Sequence, residues 1–335
     1  MKGLSLPVAL ATSVGSLPHR DAVAAARFVL DRPGWLPAAP QLPRRSPLEG
    51  MVAQAAWGIQ GVEVHEDGSL AVSSPDLDPD APVGDLRFAG EPFVGLRAFL
   101  DAVEQREGPR KVQLTGPVTL GLALVGLDVE PALALDVATA AVRARALALV
   151  ELVETRAGPG TSVVFLDEPG LVSMMHPGFP FPPDRAVDAI SAVLADIEAD
   201  AVTGLHCCGS TDWRLALQSG PQVVSAPVQS NIGAFAGTIA TFLEAGGWIA
   251  WGAVPTDEPI GSNGNRLWRR LSDLWCDLVG AGCDPGMVRE HAMVTPACGL
   301  AGHGLTQADH VLAITGEIAS RLRDQAIGVR LSIGA

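Results

Sequence analysis

The chain has 335 residues, 48% of them apolar, and its 23 Lys and Arg stand against 37 Asp and Glu, for a formal charge of −14. That length suits one large α/β barrel, so residues 1–335 are expected to form a single domain, and the acidic balance excludes nucleic acid as a partner of the whole surface. No apolar run approaches the roughly 20 residues needed to cross a bilayer, so no membrane partner is expected either.

The opening MKGLSLPVALATSVGSLPHR, with Pro7 early in its apolar run, reads as a first strand and loop rather than a signal peptide. Beyond it, short β-prone runs alternate with helical stretches. The runs are VALATSV (8–14), LPAAPQL (36–42), KVQLTG (111–116), SVVFLD (162–167), AVTGLHC (201–207), QVVSAP (222–227), WIAWGAV (248–254) and HAMVTPAC (291–298). Helices are expected over about 20–31, 92–106, 129–156, 212–218, 233–245 and 264–281. Two more apolar faces comprise Val187, Ile190, Val193, Leu194 and Ile197, and Val311, Ile314, Ile318 and Leu322. Strands alternating with helices imply a parallel sheet with right-handed crossovers, and eight such units imply a closed (β/α)8 TIM barrel. Residues 60–90, with EVHEDGSLAV and SPDLDPDAP, read as a hairpin and an acidic loop inserted between the second and third strands.

Chemistry in such a barrel sits at the rim where strands end. The unusual residues fall there: Gly15-Ser16, Thr115-Gly116-Pro117, Asp167-Glu168-Pro169, His206 to Cys208, and Cys298-Gly299. Side chains two apart on a strand share a face, so His206 and Cys208 can enter one ligand sphere while Cys207 points away. Cys298, on the last strand, becomes their neighbour if the barrel closes. Zinc accepts imidazole nitrogen and thiolate at about 2.0–2.3 Å, and three protein ligands leave a position for substrate. The competing reading is that these cysteines are small buried apolar side chains, and spacing alone leaves both open. If zinc is present, a thiol substrate suits the sphere, because the metal holds it as thiolate while the two protein thiolates keep it electron-rich. Five cysteines, an odd number with two adjacent, also fit thiols kept reduced in a cytoplasm.

Taken together, TSVGSLP (12–18), QLTGPVT (113–119), FLDEPGL (165–171), LHCCG (205–209), GAVPTDEP (252–259) and TPACGL (295–300) resemble the C-terminal catalytic barrel of cobalamin-independent methionine synthase, in its free-standing core form. The wider superfamily also holds uroporphyrinogen decarboxylase. The resemblance implies a methyltransferase acting on a thiol, homocysteine first among them, with zinc on His206, Cys208 and Cys298. It implies that Asp167 holds the substrate ammonium and that Val14, Gly15 and Ser16 receive its carboxylate. Gln41 or Glu49 falls where another substrate contact is expected; Glu168 reads either as orienting Asp167 or the metal shell, or as part of an Asp-Glu-Pro that simply ends the strand.

The chain departs from the family at several points. Where the family supplies a further glutamate ligand, this sequence has Pro227 or Gln229; its pterin-stacking tryptophan falls at Ala123. The proton-donating histidine falls at Asp257, which is carried as a candidate catalytic acid with a helix cap as the alternative. A later acid falls at Ser173. These losses favour methylcobalamin or a methylated corrinoid protein over methyltetrahydrofolate as donor, since a corrinoid needs no acid to release its methyl group. Two competing readings are a decarboxylase of the uroporphyrinogen type, for which Arg20, Arg44 and Arg45 are the only basic cluster near the rim, and a zinc- or corrinoid-binding protein without turnover.

Overall fold

The computed structural model describes residues 6–72 and 77–333. Six short runs rich in branched side chains form its parallel sheet: β3 (Arg110–Thr115), β4 (Ser162–Asp167), β5 (Val202–His206), β6 (Val223–Pro227), β7 (Trp248–Val254) and β8 (Ala292–Pro296), hydrogen-bonded in chain order. Parallel neighbours require crossovers, which helices supply. These are α4 (Pro117–Val125) with α5 (Pro131–Arg156), then α6 (Pro183–Ile197), α7 (Trp213–Gln218), α8 (Ala236–Glu244), and α9 (Asn265–Gly280) with α10 (Pro285–Glu290). Helix α11 (Leu305–Ile333) follows the last strand and buries the expected face of Val311, Ile314, Ile318 and Leu322. Among the described residues, no helix is long and apolar enough to cross a membrane.

Both faces of the sheet are covered, as parallel sheets require. Val112, Val164, Leu166, Leu205 and Val224 point outward and join the helices in the larger apolar cluster. Val163, Phe165, Val223, Trp248, Ala250 and Met293 point inward and, with Leu10 and Leu36, fill a smaller one. The period-two alternation of each strand therefore separates an outer packing layer from an inner column, and the site is built at the top of that column.

The complete eight-stranded barrel expected from the sequence is corrected to six regular strands and two irregular segments. Ala11 bridges Val294 of β8 and also Trp35, while Ala38 bridges Lys111 of β3. Thr12 N–H donates to Val294 O at 2.9 Å, Leu36 N–H to Ala11 O at 2.9 Å, and Ala39 N–H to Lys111 O at 2.9 Å. The segments around residues 9–16 and 35–41 are thus tied to both edges of the sheet by single bridges, without ladders. Pro37 and Pro40 have no N–H to give a ladder, and Ala9 (φ 60°) and Gly15 (φ 145°) leave the extended region.

The N-terminal region also holds α1 (Ala22–Leu30), α2 (Met51–Ala56) and α3 (Val94–Val103). The expected hairpin is β1 (Val62–Val64) paired antiparallel with β2 (Leu70–Val72). Residues 73–76 of the acidic loop lie outside the described residues. Helices α2, α4 and α10 were not anticipated, although Pro at the first turn of α4 and α10 is a start signal that the sequence carries.

Candidate functional site

Strand register brings the rim side chains together. Thr115 pairs with Asp167, Asp167 with His206, and His206 with Ser225, so these residues of β3 to β6 form one row with their side chains on the inner face. Gly204 lies two residues below His206, where a Cβ would come within 2.6 Å of the Phe165 ring. Glycine there lets the ring pack beneath the row. Cys208 follows β5 by two residues, and Cys298 follows β8 by two. Register slips between Gly252 and Val254, and Ala297 N–H donates to Val254 O at 2.8 Å, which turns the chain toward the centre just before Cys298.

His206, Cys208 and Cys298 meet there. Cys298 lies beside Cys208 and the His206 imidazole, and its interactions with them hold its thiol below the ordinary range. The same contact with Cys298, reinforced by burial, pushes the Cys208 thiol up. His206 Nδ1 lies 3.0 Å from Ser225 Oγ, which fixes the ring and leaves Nε2 available. Two sulfurs and an imidazole are a donor set suited to zinc. Among the described residues, however, no group of three or more His, Cys, Asp or Glu side chains is already arranged as the ligands of an ion. Cys207 faces away as expected: it is buried in the outer layer, and burial raises its thiol to about 12. Cys283 packs in the same layer, and Cys276 is exposed far from the rim.

On one side of the sulfur pair lies a cleft of about 240 Å³, bordered by Val14, Ser16, Asp167, His206, Cys208 and Cys298. Asp167 is 6% exposed, and its Oδ1 is buried without a hydrogen-bond partner. Burial raises its carboxyl above the ordinary range, with Lys111 and His206 pulling the other way. An unpartnered buried carboxylate oxygen is the complement of an ammonium group. Gly15 O accepts from Gln41 N–H at 3.2 Å, and Ser16 O from Leu300 N–H at 2.8 Å, so the 14–16 turn is pinned from both sides. Gly15 lies against the Gln113 side chain, which leaves no room for a Cβ.

The other candidates separate. Gln41 and Glu49 both border the small cleft, but Glu49 is bound to Arg45 Nε at 2.5 Å and to Leu42 N–H at 3.1 Å, and so serves the loop it sits in. Glu168 does not orient Asp167. Its carboxylate accepts from Val118 N–H (2.8 Å), Thr119 N–H (2.7 Å) and Thr119 Oγ1 (2.5 Å), capping α4, and burial raises it to about 7. Asp257 is exposed and is not the cap of α9, which starts from Gly264. It lines a second, wider cleft of about 530 Å³ on the far side of Cys208 and Cys298, with Gln229 and Glu258. Of the rim arginines, Arg44 donates to Ala301 O (2.6 Å) and Gly302 O (2.9 Å), and Arg45 to Glu49 and Glu91. Sequence reasoning missed Ser225, Lys111 and Gln113. Period-two alternation in KVQLT, which puts Lys111 and Gln113 on the same face as Thr115, is the signal that could have found the last two.

No family model matches the chain, and no curated protein does. Solved structures share its fold. One is described as a B12-independent methionine synthase from Shewanella sp. W3-18-1 in complex with selenomethionine, with a TM-score of 0.63 at 14% identity, covering 96% of this chain and 99% of that one. Another is described as a putative vitamin-B12 independent methionine synthase from Listeria monocytogenes, with a TM-score of 0.52 at 12% identity, covering 93% of this chain and 98% of that one. The likeness is one of fold, and it extends over nearly the full length of all three chains.

Proposed function

We propose that the chain is a zinc-dependent thiol S-methyltransferase of the core methionine synthase type, a single cytoplasmic domain that converts homocysteine to methionine. The two bridged N-terminal segments stand in this reading for the first and second strands of an eightfold barrel. The observation that carries it is the meeting of His206, Cys208 and Cys298, residues from two distant strand ends, beside a buried carboxylate whose Oδ1 has no hydrogen-bond partner.

Zinc held by His206, Cys208 and Cys298 would supply a thiolate at neutral pH. The rest falls to the chain itself. Ser225 holds the His206 ring through Nδ1, fixing which nitrogen faces the ligand position. Asp167 Oδ1 takes the substrate ammonium, and the 14–16 turn takes its carboxylate. A cleft of about 240 Å³ is of amino-acid size, which agrees with the selenomethionine described in one structural neighbour. Asp257, in the wider cleft, is placed to give a proton to the demethylated donor.

The donor is the open choice of the reading. Ala123 offers no stacking surface for a pterin, which supports methylcobalamin or a corrinoid protein. Both structural neighbours are described as B12-independent, which weighs against a corrinoid. The test is a transfer assay with homocysteine as acceptor and methyltetrahydrofolate and methylcobalamin side by side. Zinc-dependent methionine formation from either donor is expected. A zinc-loaded chain that binds homocysteine yet transfers methyl from neither would favour the non-catalytic alternative. The decarboxylase alternative is disfavoured because Arg44 and Arg45 are already bound to carbonyls and carboxylates of the chain.

A further inference from the structure

Below the row formed by Asp167 and His206, the inner column holds a lysine. Lys111 is 2% exposed, and its Nζ donates to Val14 O at 2.5 Å and to Gln113 Oε1 at 3.2 Å, while lying 4.8 Å from the centre of the Phe165 ring. Burying an ammonium costs several kcal/mol unless charge and hydrogen bonds offset it, so a lysine in this column requires a reason. Its countercharge is Asp167: each shifts the other toward the ionised form, although burial still takes Lys111 down to about 8. A void of only about 10 Å³ separates them, bordered also by Thr12, His206 and Ser225. That is room for about one water.

We propose that Lys111, aimed by Gln113, is a positioning residue that readies both halves of an amino-acid zwitterion site and so sets selectivity for an α-amino thiol; this rests on the functional reading above. The first half is the turn. In a trans peptide, C=O and N–H point in opposite directions. With Val14 O drawn down onto Lys111 Nζ, the Gly15 N–H of the same peptide is directed away from the column, up toward the rim. Gln113 completes the support: its Nε2 donates to Ala39 O at 2.7 Å, its Oε1 receives Lys111, and its side chain abuts Gly15. The second half is Asp167. Its Oδ1 lacks a hydrogen bond, and Lys111 is the cation that balances its charge while the cleft is empty. A zwitterion then adds no net charge to the pair. A thiol lacking the amino group brings a carboxylate without the ammonium that Asp167 Oδ1 would accept from, adds net negative charge to the site, and is rejected.

The test compares homocysteine with 4-mercaptobutyrate, its des-amino analogue, in the zinc-loaded wild type and in Lys111→Met. The wild type is expected to prefer homocysteine in KM by roughly 100-fold, the scale of one buried charge pair. Lys111→Met is expected to bring that ratio within about tenfold, chiefly by raising KM for homocysteine, with kcat and zinc content little changed. A merely structural defect would lower kcat for both acceptors together and leave the ratio intact. Gln113→Leu keeps the charge but removes the oxygen that aims it. It carries the same expectation with a smaller factor, and it serves if Lys111→Met does not fold. An unchanged ratio in the folded variant, with a working wild type, overturns this inference alone. A wild type that neither binds zinc nor methylates homocysteine overturns the functional reading and this inference with it.

Discussion

The two clefts that flank Cys208 and Cys298 differ in kind. The smaller, about 240 Å³, is walled by strand ends and a pinned turn, and its charged group, Asp167, is buried with one oxygen unpaired. The larger, about 530 Å³, is walled by loops after β5, β6 and β7, and its acid, Asp257, is exposed. Rigid elements with a waiting carboxylate suit a small ligand of fixed shape, whereas an open loop-lined cleft suits a bulky one that arrives and leaves. On the proposed function, acceptor recognition is built into the barrel, and the donor side is left to loops, where specificity is easily changed.

Three substitutions test that division, in decreasing order of effect. Cys298→Ser removes a side chain that both clefts share. It is expected to lower zinc affinity by more than the roughly 10–100-fold that follows loss of an outer-shell partner, and to abolish transfer; metal analysis after dialysis against a chelator reads it directly. Asp167→Asn strikes only the small cleft. KM for homocysteine should rise roughly 100-fold, as for a buried charge pair, with KM for the donor unchanged; a similar change in both constants would mean that the clefts are not separate. Asp257→Asn strikes only the wide cleft. Its acid is exposed, where water can also deliver the proton, so kcat should fall less than about tenfold; a loss of about 100-fold or more would mean that water does not substitute for Asp257.

Legibility in the sequence follows from whether the deciding contacts are local. From residue 110 onward, runs such as SVVFLD and WIAWGAV are apolar on both faces and bounded by turn residues, and each is a strand within a residue or so of expectation. LPAAPQL reads as a strand by composition, but Pro37 and Pro40 deny it a ladder, and it forms only bridges. His206 and Cys208 are legible from strand period alone. Cys298 joins them only through closure of the fold, which spacing does not encode, and the resemblance supplied what the spacing lacked. Glu168 reads as a neighbour of Asp167, yet it turns outward to cap α4 at Val118 and Thr119, about 50 positions earlier, a contact that no local pattern announces. Lys111 is hidden for a related reason. A lysine opening a strand reads as a solvated edge, and its burial follows only from the inner column that the other strands close around it.

The central claim is that His206, Cys208 and Cys298 hold zinc with a position left for the acceptor sulfur. Zinc K-edge absorption of the metal-loaded chain, recorded before and after homocysteine is added, measures this directly. The account predicts one equivalent of zinc with one nitrogen and two sulfur neighbours at about 2.0–2.3 Å, gaining a further sulfur on addition of the thiol. A chain that takes up no zinc, or whose sulfur count does not change when homocysteine is present, would contradict it.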